Sequence, residues 1–347
     1  MGDGGTRAMA GAILASVAVM LPACTAPPAA NHAAATPAAS AAAPPSAAPV
    51  LRQTKAEIAR TIASLRQVDD HPLYELTFHG GYDREAPVAE AELARRDDAW
   101  ACSLFYARGA SGGGLFGRNF DWSANPALLV RADPPDGYAS ISLVDAYYAL
   151  GDDRAPDLPD PVARRRLAHA VLTPFDGMNE KGLVIGMAQM PEDGAVPRRP
   201  GVRTVGSTRI MRIVLDKAAT VDEAVALFRG YDVDFTGGPR LHYLVADAAG
   251  RSAVLEFAGG RLNVLRDERL LTNFTLTGTA DRLADTRYRV LSQGRVAGTA
   301  SAFDLLRRVA QHHTRWSVVY DQAAATARVV TSQRWDRVHT FPLREAG

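Results

Sequence analysis

The chain has 347 residues, with 39 Lys and Arg against 38 Asp and Glu, a formal net charge of +1 and 47% hydrophobic residues. This balance argues against nucleic acid as a partner, because nucleic-acid-binding proteins concentrate positive charge. With only two cysteines, Cys24 and Cys102, the chain does not carry the framework of a disulfide-stabilised protein.

The first predicted element is an export signal at residues 1–23. Arg7 precedes an apolar run over residues 8–20, which is too short for a stable transmembrane anchor. The following LPAC resembles a bacterial lipobox, so we expect lipidation at Cys24 and a cell-surface lipoprotein that contacts the membrane only through this anchor. Plain secretion and an uncleaved tether are the alternatives.

Residues 24–50 are almost wholly Ala, Pro, Ser and Thr, a composition that predicts a disordered stalk. The next segment, residues 51–101, is called the leading segment below. It contains a helical pattern over residues 54–68 and the strand-like PLYELTFHG, so it is folded or docks onto something folded. Residues 80–98 are polar and predict an exposed connection that is accessible to cleavage.

Residues 102–347 alternate strand and helix patterns. Strands are predicted at residues 183–190 and 316–321, and a hairpin at residues 241–257. TVDE at 220–223 and SAFD at 301–304 are typical of capping boxes that begin helices. Hairpins with clustered helices predict an α+β layered architecture of antiparallel sheets covered by helices.

Cys102 opens the stretch CSLFYARGASGGGLFGRNFDW. If its flanks pair as a hairpin across the glycines, Arg118 and Asp121 return to the neighbourhood of Cys102. A guanidinium favours a thiolate, and a carboxylate can orient an amine. A buried inert thiol and a surface ion pair are the alternatives, whereas a phosphate loop is excluded because no Gly-Lys-Ser/Thr follows.

A thiol nucleophile needs a base, and the histidines offer no obvious one. His242 lies in a predicted strand, and His312 and His313 lie at a predicted helix end, where structural histidines are common. Breaking the bond between Ala101 and Cys102 would create another base. The new α-amine has an unperturbed pKa of about 7.7–8.0 and sits on the nucleophile's own residue.

Most of the chain after the stalk resembles the choloylglycine hydrolase and linear amide C–N hydrolase family of N-terminal-nucleophile hydrolases. This family includes penicillin V acylase and is related to isopenicillin N acyltransferase. The resemblance rests on CSLF at Cys102, GRNFDW from Gly117, DGMNEKGL from Asp176, HYLVADAAGRSAVLEF from His242, TNF from Thr272 and TRY from Thr286. It implies a four-layer αββα sandwich of antiparallel sheets.

Six residues match catalytic positions of that family: Cys102, Arg118, Asp121, Asn179, Asn273 and Arg287. The resemblance implies that Cys102 is the nucleophile and, through its freed amine, the base. Asp121 would position that amine and Arg118 would lie beside the thiol. The two asparagines match the oxyanion hole, and Arg287 would support the nucleophile. By itself, Asn179 before Glu-Lys-Gly is also typical of an ordinary turn.

The predicted function is therefore an exported cysteine amidase, with residues 102–347 as its catalytic domain. It would hydrolyse a linear non-peptide amide of a small acylated substrate through a Cys102 thioester, without a metal or organic cofactor. Three alternatives stay open: acyl transfer to an amine, an inactive lipid-anchored binding protein, and an unprocessed Cys–His hydrolase.

The leading segment makes the layout similar to that of the acid ceramidase and N-acylethanolamine amidase group. In that group a folded leading segment is cut from the catalytic chain by the protein's own cysteine. Residues 51–101 are thus expected to stay associated after any cut. Autocatalytic cleavage, the particular acyl amide and homo-oligomerisation are left open.

Overall fold

The structure is a computed structural model that describes residues 50–86, 101–109, 114–122, 126–150, 160–191, 196–236 and 238–344. The predicted signal with Cys24, the stalk up to residue 49, the connection from residue 87 and the turn at 110–113 lie outside these residues. The chain forms two units, Met1–Ala47 and Ala48–Gly347, and all described residues belong to the second. None of the helices in the described ranges combines the length and apolar composition needed to cross a membrane.

The strands are β1 Leu51–Arg52, β2 Arg66–Asp69, β3 Leu73–Phe78, β4 Gly81–Tyr82, β5 Ala101–Arg108, β6 Gly114–Asp121, β7 Ala127–Ala132, β8 Ser140–Asp145, β9 Asp176–Asn179, β10 Val184–Gln189, β11 Thr204–Gly206, β12 Asp232–Asp234, β13 Leu241–Ala246, β14 Ser252–Ala258, β15 Arg261–Arg266, β16 Leu270–Leu271, β17 Thr314–Asp321, β18 Thr326–Thr331 and β19 His339–Pro342. The α-helices are α1 Lys55–Ser64, α2 Tyr147–Leu150, α3 Pro161–Leu167, α4 Arg209–Lys217, α5 Val221–Gly230, α6 Thr286–Gln293 and α7 Thr299–Val309. Short 3₁₀ helices span Ala168–Leu172 and Arg282–Ala284.

Two large sheets organise these strands. The first has nine strands in the order β15-β14-β13-β10-β9-β8-β7-β3-β2, and the second has six in the order β16-β5-β6-β17-β18-β19. Neighbouring strands are antiparallel throughout both sheets except for the parallel pair of β3 with β7. Two further pairs, β1 with β4 and β11 with β12, lie outside these sheets.

The two large sheets pack face to face over one hydrophobic core. Leu104 and Phe116 of the six-stranded sheet and Leu143 of the nine-stranded sheet belong to the same buried cluster. Gly186 on β10 allows this approach, because a Cβ atom there would lie 2.8 Å from Leu104 Cδ2. A larger residue at position 186 would therefore push the two sheets apart at this contact.

Helices cover the outer faces of both sheets. On the nine-stranded sheet, Leu167 of α3 packs in one cluster with Tyr74 and Leu128, and α4 and α5 add further buried side chains. On the six-stranded sheet, Leu306 of α7 packs in one cluster with Val319. The order is helices, sheet, sheet, helices, which confirms the predicted α+β four-layer sandwich.

The leading segment contributes to the nine-stranded sheet. Its strands β2 and β3 form one end of that sheet, with β3 running parallel to β7. Helix α1 begins after Thr54, whose hydroxyl and the Glu57 side chain form a reciprocal capping box. The helix ends at Ser64, earlier than the helical pattern to residue 68 indicated, because residues 66–69 pair with β3 as β2.

Most of the other sequence-predicted elements are present. The strands at 183–190 and 316–321, the hairpin at 241–257 and the capping box of Thr220 with Glu223 are all found. The start predicted at Ser301 is wrong, because α7 already begins at Thr299. The Ser301 hydroxyl instead accepts hydrogen bonds from the amides of Ala297 and Gly298, and so closes the turn before the helix.

Candidate active site

Cys102 lies near the start of β5, in the hairpin that the sequence predicts. In the antiparallel register, Cys102 is opposite Phe120 and Ala101 is opposite Asp121. Because side chains alternate along a strand, Arg118 lies on the same face as Phe120 and Cys102. Arg118 Nη2 is 3.5 Å from Cys102 Sγ. Local pairing of two neighbouring strands thus brings a guanidinium to the thiol.

Arg118 is fully buried and is held by a carboxylate from the opposite sheet. Its Nη1 donates to Asp176 Oδ2 at 2.5 Å. Asp176, the first residue of β9, also accepts from the Tyr320 hydroxyl at 2.5 Å and from the Trp316 indole at 3.4 Å. The guanidinium carbon lies 4.9 Å from the centre of the Phe120 ring. These contacts fix the direction in which Arg118 approaches the thiol.

Asp121 lies on the other face of β6, towards the helices. The Thr314 hydroxyl donates to its Oδ1 at 2.5 Å, and Arg287 Nη1 is 3.9 Å from its Oδ2. Oδ2 is buried and accepts no hydrogen bond from the residues that the structure describes. Burial raises the pKa of Asp121 to about 6, although the Thr314 hydrogen bond and the charges of Arg287 and Arg118 oppose this. One buried carboxylate oxygen is therefore left available for a donor.

Asn273 and Arg287 surround the backbone of Cys102. The Cys102 amide donates to Asn273 Oδ1 at 2.7 Å, and Asn273 Nδ2 donates to the Gln189 carbonyl at 2.7 Å. Arg287 Nη1 donates to the Cys102 carbonyl at 2.6 Å, and its Nη2 donates to Asn273 Oδ1 at 2.9 Å. Five of the six residues selected from the sequence therefore lie in one connected group.

The structure does not bring the sixth, Asn179, to Cys102. Its side chain is buried in the turn after β9, where Nδ2 donates to the carbonyls of Leu215 and Ala218. Its Oδ1 accepts from the amides of Lys181 and Leu183. With both amide hydrogens donated to other carbonyls, this side chain has no donor left for an oxyanion. The geometry does not support the expected oxyanion role of Asn179 and instead corresponds to the turn alternative.

Sequence reasoning gave no role to two neighbours of this group. Asp176 stands at the start of the quoted DGMNEKGL, and a carboxylate inside a buried strand was a signal that it pairs with a buried cation. Gln189 lies within the strand predicted at 183–190, and nothing in that strand pattern indicated that its carbonyl would accept a hydrogen bond from Asn273. Only the packing of the two sheets reveals these partners.

The Cys102 thiol is completely buried in the intact chain. Burial raises the pKa of the Cys102 thiol, while the Arg118 charge and hydrogen bond oppose the rise. The thiol is therefore protonated near neutral pH. Taking the proton away requires a base that the intact chain does not place against the sulfur among the described residues.

The histidines considered from the sequence make their contacts elsewhere. Both ring nitrogens of His242 are occupied, by Glu256 and by the Thr272 carbonyl. His312 and His313 contact each other, with Nδ1 atoms 3.3 Å apart. Within the described ranges, histidine, cysteine and acidic side chains also form no group of three or more that could hold a metal ion.

The fold is a four-layer α+β sandwich with a buried cysteine near the start of β5, in one of its two central sheets. Residues 167–275 match the family model described as linear amide C–N hydrolases, choloylglycine hydrolase family. The match covers less than half of the chain, and it confirms the resemblance to this family that is expected from the sequence. The matched residues include Asn273 but not Cys102, which precedes them.

Several solved structures are similar to this chain. Penicillin V acylase from Agrobacterium tumefaciens is 18% identical, with a TM-score of 0.49, and the match covers 67% of this chain and 83% of that one. A mutant of conjugated bile acid hydrolase from Clostridium perfringens is 15% identical, with a TM-score of 0.49 and coverages of 70% and 92%. A Caenorhabditis elegans ortholog of N-acylethanolamine-hydrolyzing acid amidase is 16% identical, with a TM-score of 0.45 and coverages of 64% and 93%.

Proposed function

We propose that this protein is a cysteine amidase that hydrolyses linear non-peptide amides of small acylated substrates through a thioester on Cys102. The observation that carries the proposal is the convergence of Arg118, Asn273 and Arg287 on Cys102, with Asp121 on the neighbouring strand. A thiol beside a guanidinium, with amide donors close by, suits acyl transfer. A merely structural cysteine does not need these charged neighbours.

The first step of the proposal is cleavage of the chain before Cys102. The thiol attacks the carbonyl carbon of Ala101, the C–N bond breaks, and a thioester and a free α-amine result. Water then hydrolyses the thioester, which releases the Ala101 carboxylate and regenerates the thiol. Asp121 supports this step. It lies opposite Ala101 in the strand register, and its Oδ2 can accept a hydrogen bond from the new ammonium group.

In the cleaved enzyme, the α-amine is the base. It takes the thiol proton, and the thiolate attacks the substrate carbonyl. Arg118 stabilises the thiolate, and Asn273 Nδ2 is the donor proposed for the developing oxyanion. The proton passes to the leaving amine as the amide bond breaks, and water hydrolyses the thioester to a carboxylic acid and the free thiol. If an amine resolves the thioester instead, the same site performs acyl transfer.

We further propose that the protein acts outside the cytoplasm. The support is the apolar run behind Arg7 and the lipobox-like residues ahead of Cys24. An Ala- and Pro-rich stalk after Cys24 would then separate the enzyme from its membrane anchor.

The experiment uses purified protein from residue 25 onwards. Intact mass and N-terminal sequencing should find a chain that begins at Cys102, and a panel of acyl amides, with and without acceptor amines, should reveal turnover. Cys102→Ala is expected to remain uncut and inactive, and Cys102→Ser is the matched control that keeps a hydroxyl nucleophile. A wild-type chain that stays intact and forms no acyl adduct with any amide would refute the proposal.

A further inference from the structure

A buried histidine next to the site contacts two hydrogen-bond acceptors and, within the described ranges, no donor. His242, on β13, is completely buried. Its Nδ1 is 3.0 Å from Glu256 Oε2, and its Nε2 is 2.8 Å from the Thr272 carbonyl oxygen. A carbonyl only accepts, and so does an ionised carboxylate. Both ring nitrogens must then carry a proton, so His242 is an imidazolium paired with the Glu256 carboxylate.

The rest of the Glu256 environment agrees with an ionised carboxylate. Its Oε2 accepts from the Leu276 amide at 2.9 Å and its Oε1 from the Thr277 amide at 2.8 Å. Burial would raise the pKa of Glu256, but the hydrogen bonds from His242 and from these amides lower it to about 2. The two charged side chains therefore hold one loop, residues 272–277, at both of its ends.

Asn273 lies within this loop, directly after the residue that His242 holds. Thr272 is also tied to the other candidate catalytic side chain, because its hydroxyl donates to Asp285 Oδ1 at 3.2 Å. Asp285 caps the N-terminus of α6, the helix that carries Arg287. A shift of Thr272 would therefore move both Asn273 and Arg287 relative to the backbone of Cys102.

We propose that the His242–Glu256 pair is a positioning device for Asn273 and Arg287. A buried ion pair is a poor source of stability, because apolar residues of similar volume usually serve as well. Its distinct effect is on orientation, because the two N–H groups of the rigid imidazolium donate to Glu256 and to Thr272 and so fix these two residues relative to each other. The catalytic consequence rests on the proposed amidase function, but the positioning itself does not.

Two substitutions of His242 separate positioning from simple stability. Glutamine places an amide nitrogen near the Nε2 position and can still donate to the Thr272 carbonyl. Asparagine places one near the Nδ1 position and can donate only to Glu256. Both variants lose the charge and one hydrogen bond, and their melting temperatures report what each one costs the fold.

We expect His242→Asn to lower kcat about a hundredfold, comparable to removing one oxyanion donor, with KM changed only a few-fold. His242→Gln should retain kcat within about tenfold at the same melting temperature, because the hydrogen bond that positions Thr272 is kept. Equal losses of kcat in the two variants would overturn the proposal. Losses of kcat in proportion to the decrease in melting temperature would also overturn it.

A second measurement does not depend on turnover. In the uncut Cys102→Ala protein, the ¹⁵N signals of the His242 ring should show both nitrogens protonated at pH 7. Amide hydrogen exchange in residues 272–277 should be faster in the Asn variant than in the Gln variant. A neutral ring, or equal exchange in both variants, would refute the positioning role even if the amidase is active. If these signals are present but the wild-type protein is inactive, only the proposed function would be refuted.

Discussion

Two buried ionic clusters of the described residues, one that holds the leading segment and one around Cys102, differ in how many hydrogen bonds their carboxylates accept. In the leading-segment cluster, Asp216 of α4 is fully occupied. Its Oδ1 accepts from the Tyr82 hydroxyl at 2.9 Å and lies 2.7 Å from Arg212, and its Oδ2 accepts from Arg84 at 2.7 Å. Tyr82 and Arg84 belong to the leading segment, so this cluster joins that segment to the body.

The Cys102 cluster is incomplete by comparison. Among the described residues, Asp121 has one oxygen that accepts no hydrogen bond, and the hydrogen bond found for the thiol is the 3.5 Å contact with Arg118. Buried polar groups are normally satisfied, and each exception calls for an explanation. A saturated carboxylate such as Asp216 stabilises a fold, whereas an unsaturated one next to a nucleophile is available for chemistry. The following predictions test this distinction.

The largest effect is expected from Asp216→Ala, which leaves the buried Arg212 without its carboxylate and Arg84 with Asp136 alone. Removing one partner of a buried pair costs about 3–5 kcal/mol, so the free energy of unfolding in urea should fall by this amount. Asp222→Ala is the control, because Asp222 is 54% exposed and pairs with the exposed Arg251. It should cost less than about 1 kcal/mol. Similar losses in both variants would contradict the structural role of Asp216.

The next prediction compares the two asparagines that the sequence placed in the same role. Asn273→Ala should lower kcat by about a hundredfold or more, with the fold intact. Asn179→Ala should change kcat less than tenfold but cost about 1–3 kcal/mol of unfolding free energy, because it leaves buried carbonyls and amides unpaired. Steady-state kinetics and urea denaturation of each variant together test this prediction. A hundredfold loss of kcat in a stable Asn179 variant would restore its oxyanion role.

The smallest effect concerns pH. The pKa of Asp121 is about 6 in the folded chain against an ordinary value of 3.8, so folding favours the protonated form. The associated stability is fully present below pH 3.8 and is lost as pH rises through about 6. In the uncut Cys102→Ala background, Asp121→Asn should therefore stabilise the chain at pH 8 by on the order of 1–3 kcal/mol. At pH 4 the difference in unfolding free energy between the two chains should largely disappear. A difference that does not change with pH would show that the charge on Asp121 does not destabilise the folded chain.

The amino-acid sequence by itself predicted much of the geometry of the hairpin at Cys102. The spacing of Cys102, Arg118 and Asp121 around a glycine-rich turn predicted their proximity, because strand register follows from turn position and side-chain alternation. The strands near residues 184–189 and 241–258 and the capping box at the start of α5 were equally local signals. The selection of Asn273 and Arg287 came from the resemblance to a family and not from such patterns.

Tertiary structure decided what each distant side chain does. Asn179 and Asn273 both stand in turn-like stretches. Asn179 is enclosed by carbonyls of α4 and of the turn after it, whereas Asn273 follows β16, the edge strand beside β5, and accepts from the Cys102 amide. The carbonyls that Asn179 binds and the Cys102 amide that Asn273 binds are 36 or more residues away in the chain. Local propensity carries no information about such contacts, because they form only when the two sheets and their helices pack. The different surroundings of Asn179 and Asn273 therefore come from packing and not from the pattern of the sequence.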